Sequence, residues 1–244
     1  MSETTEDRML GGRLMLRQPA RGYRAGLDAA LLAAACDADG RVLEAGCGAG
    51  AVLLAAAARR PRARFTGLER DPAAAELARV NVGLNNLAER VEIRAGDIAH
   101  GFAALKLAPF DAALANPPFF DDPAALRGPA PAKHGAWLAD DGLAGWASFL
   151  LKAVREGGTL TLIHRADRLG DLLALLGPKA GSFQVRPIHP FADAPAKRVL
   201  VRAVKTGRAP LQLLPALTLH PREGAKHTEE AEEILRGEAA LNWR

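Results

Sequence analysis

Short runs of strand-forming apolar residues alternate along most of the chain with alanine- and leucine-rich stretches of helical period. The apolar runs fall at 41–45, 64–69, 91–94, 110–115, 159–164, 183–188 and 198–204, and the helical stretches at 26–36, 51–60, 71–84 and 143–155. Local signals mark the ends. Pro61 stops the second helix, and Asp71-Pro72 supplies an N-cap and a proline at the first helical position of the third. Gly157-Gly158 reads as the stop of the fourth. This alternation predicts an α/β fold, a mostly parallel sheet with helices on its faces. The runs at 183–188 and 198–204 have only a proline-containing connection between them, and read as an antiparallel pair at the sheet edge. Ahead of the main pattern, 13–24 alternates through Leu14 and Leu16 and reads as a strand or hairpin. At the other end, Thr228 and the glutamates after it predict a short helix within 228–241. The stretch 121–141 is rich in Pro, Gly and Asp without periodicity, a long loop of the kind that serves function or is disordered. The organisation expected is an extension over 1–25, a main domain over 26–208 and a tail with a short helix over 209–244.

Composition narrows the classes. The chain has 244 residues, 49% apolar and 25% charged, which suits one large folded domain and excludes bulk disorder. Cys36 and Cys47 lack C-x-x-C spacing and make no disulfide framework, so a reducing interior is expected. Residues 1–9 are polar and acidic, and the alanine-rich runs at 29–35 and 51–58 are far shorter than the roughly 20 residues of a membrane span. No secretory signal, no membrane association and a cytoplasmic location are therefore expected. The histidines and acids show no metal-ligand spacing, so no metal is expected. Net charge is +4, and 186–208 holds six basic residues (Arg186, Lys197, Arg198, Arg202, Lys205, Arg208) against Asp193 alone. A polyanion such as nucleic acid would suit that stretch, as would a solvated strand-and-loop face.

Glu44-Ala-Gly46-Cys47-Gly48-Ala-Gly50 lies between the first strand and its helix. Glycines there permit a tight turn and close approach of a ligand to the backbone. Glu69 ends the next strand at the spacing of a carboxylate that accepts from both hydroxyls of a ribose. Dinucleotides and S-adenosylmethionine both use such an arrangement. The G-x-G-x-G spacing departs from the G-x-G-x-x-G register that seats a pyrophosphate on a helix N-terminus. Glu44 would repel a diphosphate and suits a cofactor carrying a sulfonium and an ammonium. Asp97, just past the third strand, is a candidate acceptor for an adenine amino group with Ile98 packing on the ring; it reads equally as a helix N-cap.

Asn116-Pro117-Pro118-Phe119 follows the fourth strand and carries the most chemistry. The lone pair of an exocyclic amino nitrogen is delocalised into its ring or carbonyl. An Asn side-chain oxygen and the Pro117 carbonyl can each accept one N–H, which favours a tetrahedral nitrogen and directs its lone pair at an electrophile. Two prolines hold those acceptors still, and Phe119 offers a flat face for a planar base or amide. With the glycine turn and Glu69 on neighbouring strand ends, this points to methyl transfer from S-adenosylmethionine to a planar nitrogen. A dinucleotide-dependent oxidoreductase and a nucleoside- or RNA-binding module without catalysis are the alternatives from other classes.

These motifs resemble class I S-adenosylmethionine-dependent methyltransferases. Gln18-Pro-Ala-Arg-Gly-Tyr-Arg-Ala-Gly-Leu-Asp28, Val42-Leu-Glu-Ala-Gly-Cys-Gly-Ala-Gly50, Ala115-Asn-Pro-Pro-Phe119, Leu162-Ile-His-Arg165 and Pro195-Ala-Lys-Arg-Val-Leu-Val-Arg202 are together similar to the bacterial tRNA(Val) (adenine-37-N6)-methyltransferases, over about 14–236. The resemblance implies a Rossmann-like sheet of about seven strands with an antiparallel terminal hairpin. It implies that Tyr23, Gly26 and Asp28 join Glu44, Gly46, Cys47, Gly48, Gly50, Glu69, Asp97, Ile98 and Asn116 around the cofactor, with Asp28 toward its methionine end. Asn116, Pro117, Pro118 and Phe119 would be catalytic, and Phe119, Phe120, Lys197 and Arg198 would meet the tRNA. Protein glutamine N5-methyltransferases, ribosomal guanine N2-methyltransferases and DNA adenine methyltransferases carry similar motifs. With no recognition domain ahead of the fold, the glutamine and guanine enzymes are the less expected. His134 and His164 are not expected to have catalytic roles, and Trp137 and Trp146 fit a core as well as a base-stacking position.

Overall fold

A computed structural model describes residues 3–21, 24–119 and 142–243. The chain opens with an antiparallel hairpin, β1 (Thr4–Met9) and β2 (Leu14–Pro19), followed by α1 (Leu27–Ala34). The alternating units then run β3 (Arg41–Ala45), α2 (Ala51–Arg59), β4 (Arg64–Glu69), α3 (Pro72–Leu84), β5 (Val91–Ala95) and β6 (Phe110–Ala115). After them come α4 (Gly142–Ala153), β7 (Val154–Arg165), α5 (Leu169–Leu176), β8 (Ala180–His189) and β9 (Arg198–Lys205). The two-residue strands β10 (Gln212–Leu213) and β11 (Leu217–Thr218) and helix α6 (Glu229–Arg236) complete it.

The main sheet runs β10-β8-β9-β7-β6-β3-β4-β5, with β11 also on β8. Strands β3 to β7 are parallel, and β9 is antiparallel to both β7 and β8. Helices cover both faces. One core gathers Val42, Phe65 and Ile163 beneath α1, α2 and α3; the other gathers Leu43, Ala113 and Leu162 beneath α4 and α5. The α/β fold with its antiparallel end agrees with the sequence pattern. Among the described residues seven longer strands form the body, and β10 and β11 bring the sheet to nine, so β8 is covered and is not the outermost strand.

Two local readings need correction. Gly157 and Gly158 do not end a helix. The helix ends at Ala153, and both glycines lie inside β7, where its register against β6 shifts between Phe110 and Ala112. The sequence pattern also omits α5, whose Leu172 and Leu176 are fully buried. The loop 121–141, with His134 and Trp137, and Phe120 before it, lies outside the described residues.

The flanking segments pack into the same core. Leu14 and Leu16 of β2 are buried, as are Leu241 and Trp243 near the C-terminus, where the Trp243 indole donates to the Ala35 carbonyl at 2.8 Å. The hairpin is held by Asn81 of α3 and by Asn85, which caps that helix at its C-terminus. Asn85 both accepts from and donates to the Met15 backbone. Asn81, fully buried, accepts from Arg17 N at 2.8 Å and donates to Arg17 O at 2.8 Å and to Ala49 O at 2.9 Å. Asn81 therefore ties the hairpin, α3 and the glycine turn together. Asn81→Ala strands three partly buried backbone groups and is expected to cost about 2–4 kcal/mol; urea denaturation would measure it, and a loss under about 0.5 kcal/mol would contradict that role. Among the described residues no helix is long and apolar enough to cross a membrane.

Candidate active site

The chain leaves β3 toward β4 and β5 on one side, while β6 and β7 lie on the other. A crevice therefore opens at the carboxyl ends of β3 and β6, the switch point where open α/β sheets take ligands. Ala45 pairs in register with Ala115, and both are the last residues of their strands. Gly46 and Asn116 thus emerge side by side.

Gly46, Gly48 and Gly50 all have positive φ, at 67°, 53° and 89°, and Gly50 caps α2 in the left-handed conformation. The turn closes through Gly50 N donating to Cys47 O at 2.8 Å, and is fixed to β4 by Cys47 N donating to Leu68 O at 3.0 Å. Space is tightest at Gly46, where a Cβ would stand 2.5 Å from Cη2 of Trp146 in α4. Gly48 faces open space, with nothing within 4 Å of such a Cβ.

Glu69 ends β4 and accepts from Gly48 N at 2.8 Å and from Asp71 N at 2.9 Å, one bond to each oxygen. Each carboxylate oxygen keeps a second lone pair. Glu44 is buried at 2% exposure, and its Oε2 has no hydrogen-bond partner among the described residues. Burial pushes its carboxyl well above the ordinary range; the Leu53 backbone N–H offsets this in part, and the nearby Glu69 charge adds to it. The sign of the stability effect follows. A raised folded pKa contributes stability that is complete below the unfolded value of 4.5 and is lost as pH rises through the folded value. Glu44→Gln should therefore flatten the pH dependence of the ligand-free protein and raise Tm at pH 8 by about 3 °C. Melts at pH 5 and pH 8 test this, and an unchanged pH dependence would contradict it. Burial also drives the Cys47 thiol up, with the Glu44 and Glu69 charges adding, so it stays a protonated packing group.

Asp97 caps a single 3-10 turn through a 2.9 Å bond from Ala99 N and lies 3.9 Å from Arg70; Ile98 packs on the α4 side of the sheet. Gly26 precedes α1, and a Cβ there would meet nothing within 4 Å. Tyr23 lies outside the described residues. Past β6, Asn116 and Phe119 are half-buried, Pro117 is buried and Pro118 is exposed.

Arg198, at the start of β9, joins this site from the far side. Its Nε donates to Asp28 Oδ2 at 3.0 Å, and its guanidinium carbon stands 4.6 Å from the Phe119 ring centroid. The His164 ring is 5.1 Å from Phe119, tilted by 52°. The remaining basic residues of 186–208 do not form one strip. Arg186 is buried, donating to the carbonyls of Pro215 and Asn242; Arg202 pairs with Asp37, and Lys205 pairs with Glu156. Lys197 and Arg208 are exposed. The partners that disperse this charge are distant in sequence, which is why a local count overstates it. Trp146 against Gly46, and Arg198 between Asp28 and Phe119, are the contacts that motif reading did not supply. Among the described residues no group of three or more His, Cys, Asp or Glu is arranged to hold a metal.

The family model described as methyltransferase small domain matches residues 25–127. A crystal structure of a predicted O-methyltransferase from Agrobacterium tumefaciens superposes with a TM-score of 0.72 at 29% identity, over 88% of this chain and 98% of that one. This chain has the methyltransferase fold. A putative class I S-adenosylmethionine-dependent methyltransferase from Listeria monocytogenes shares that fold, with a TM-score of 0.57 at 14% identity over 86% of this chain and 68% of that one. Among relatives by sequence, the tRNA1(Val) (adenine(37)-N6)-methyltransferase of Porphyromonas gingivalis is 38% identical over 159 residues, 61% of each chain. The protein of the same name from Yersinia pestis is 36% identical over 160 residues, 64% of this chain and 62% of that one. The chain thus spans about three-fifths of the length of these relatives. The cofactor of this methyltransferase class is S-adenosylmethionine, and the residues fit it. Gly48 leaves a backbone cradle open, Glu69 has lone pairs to spare at the strand end, and the unsatisfied Glu44 oxygen suits a cationic ligand.

Proposed function

We propose that this chain is an S-adenosylmethionine-dependent N-methyltransferase acting in the cytoplasm on the N6 amino group of an adenine in a tRNA. The observation that carries this is Asn116-Pro117-Pro118-Phe119 at the end of β6, beside the glycine turn through the Ala45–Ala115 register. The names of the Porphyromonas and Yersinia relatives support the acceptor. Residues 26–208 are read as the methyl-transfer domain, 1–25 as an N-terminal extension and 209–244 as a tail with a short helix.

When bound, S-adenosylmethionine supplies an electrophilic methyl group on a sulfonium. Glu69 would hold the ribose, Gly46 to Gly50 would line its approach, Asp97 and Ile98 would meet the adenine, and Asp28 would face the amino-acid end, with Glu44 beneath the turn. On the acceptor side, the Asn116 side-chain oxygen and the Pro117 carbonyl accept the two amino hydrogens. That pairing draws the nitrogen out of conjugation and aims its lone pair, while buried Pro117 keeps the backbone acceptor fixed. Phe119 stacks on the base. The nitrogen becomes acidic as it turns cationic, so its proton leaves without a strong base. The Agrobacterium neighbour is named for oxygen, but a hydroxyl has one hydrogen and gives paired acceptors nothing to grip.

The test is methyl transfer from labelled S-adenosylmethionine to total tRNA, ribosomal RNA and protein extract. Label in tRNA is expected. Label in protein with both RNAs blank would move the acceptor to a glutamine amide, which presents the same two N–H groups.

A further inference from the structure

Arg198 touches both halves of the site, and the family resemblance gives it only a contact with the tRNA. One of its contacts is Asp28 in the first turn of α1, where the helix N-terminus favours a carboxylate. The other is the ring of Phe119, which the guanidinium covers at 4.6 Å while His164 leans on the same ring. The Arg198 side chain is 32% exposed and that of Asp28 23%, so the pair is open enough to rearrange and shielded enough to matter. Without cofactor, Arg198 is thus held by an acid of the cofactor side while lying on the aromatic proposed to receive the base.

We propose that the Asp28–Arg198 pair couples cofactor binding to acceptor binding, an inference that rests on the methyltransferase reading above. The cofactor's amino-acid end carries an ammonium. Arriving at Asp28, it competes with Arg198 for one carboxylate, and the two cations repel. Arg198 is then released toward the acceptor, where a planar guanidinium can stack on a base or pair with a phosphate. Arg198 is a positioning residue in this scheme: it costs the empty enzyme some cofactor affinity and raises the affinity of the loaded enzyme for RNA. By linkage, RNA must tighten cofactor binding by the same factor.

The experiment is calorimetric titration of the wild type, Arg198→Ala, Arg198→Lys and Asp28→Asn with two adenosyl ligands. S-adenosylhomocysteine carries the ammonium, and methylthioadenosine lacks the whole amino-acid end. Arg198→Ala is expected to bind S-adenosylhomocysteine about three- to fivefold tighter, its competitor being gone, with methylthioadenosine unchanged. Arg198→Lys keeps the competing charge and should stay near wild type for both ligands. Asp28→Asn should weaken S-adenosylhomocysteine alone. In the wild type, saturating S-adenosylhomocysteine should tighten binding of total tRNA about fivefold, and in Arg198→Ala that gain should vanish. Weaker binding of S-adenosylhomocysteine by Arg198→Ala, with methylthioadenosine unaffected, would overturn the proposal, because Arg198 would then hold the cofactor carboxylate. Loss of both ligands in Arg198→Ala and Arg198→Lys would overturn it too, leaving Arg198 a structural support. A wild type that binds neither ligand would instead sink the methyltransferase reading and this coupling with it.

Discussion

Asn116→Ala should lower the turnover of methyl transfer by about 10²–10³-fold, the usual cost of removing one preorganised hydrogen-bonding group from a reacting centre. The alanine cannot accept the amino hydrogen. The Pro117 carbonyl alone leaves the nitrogen free to rotate back into conjugation, and the loss falls on turnover more than on binding. Affinity for S-adenosylhomocysteine should change by less than about threefold, since the glycine turn and Glu69 remain in place. Asn116→Asp is informative beside it. A carboxylate still accepts, so partial activity above the alanine variant is expected. Single-turnover rates with labelled cofactor measure all three proteins, and an alanine variant within a few-fold of wild type would remove Asn116 from the chemistry.

Gly46→Ala should be strongly damaging to the site. Two costs add there, because the backbone needs φ of 67° and the new Cβ would stand 2.5 Å from Cη2 of Trp146. The neighbour is a rigid indole on a packed helix, so relief requires the turn or α4 to move. About 2–4 kcal/mol of stability should be lost, and cofactor affinity with it by about tenfold or more. A second substitution separates the two costs. Trp146→Ala removes the clash but not the strained φ, so the double variant should be less destabilised than the sum of the singles. Strict additivity in thermal melts would show that Trp146 does not press on the turn.

The parts of the site legible in sequence were those encoded in a few consecutive residues. Glu44 to Gly50 and Asn116 to Phe119 each sit on one strand-to-loop corner, and alternation of strands and helices along the chain brings both corners to one crevice. Register then makes Gly46 and Asn116 neighbours. What sequence did not disclose depends on distant pairing. Asn81 in α3 and Asn85 at its C-terminal cap look like solvated positions until β2 arrives to meet them. Arg198 looks like part of a basic strip, yet its carboxylate partner lies 170 residues away. Gly157 and Gly158 carry the same local signal for a helix stop as for an irregular strand, and only the β6 register distinguishes them. Helix α5 starts after Arg168 with no side-chain cap, whereas α6, equally short, is announced by its Thr228 cap.

The most direct measurement is the identity of the methylated product. Total tRNA lacking the modification is incubated with the protein and labelled S-adenosylmethionine, digested to nucleosides and separated by chromatography with mass detection. Label in N6-methyladenosine is the result expected from paired acceptors at Asn116 and Pro117 and a base stacked on Phe119. Label in a ribose 2′-O-methyl nucleoside would contradict it, because that product uses one hydroxyl hydrogen and no exocyclic nitrogen.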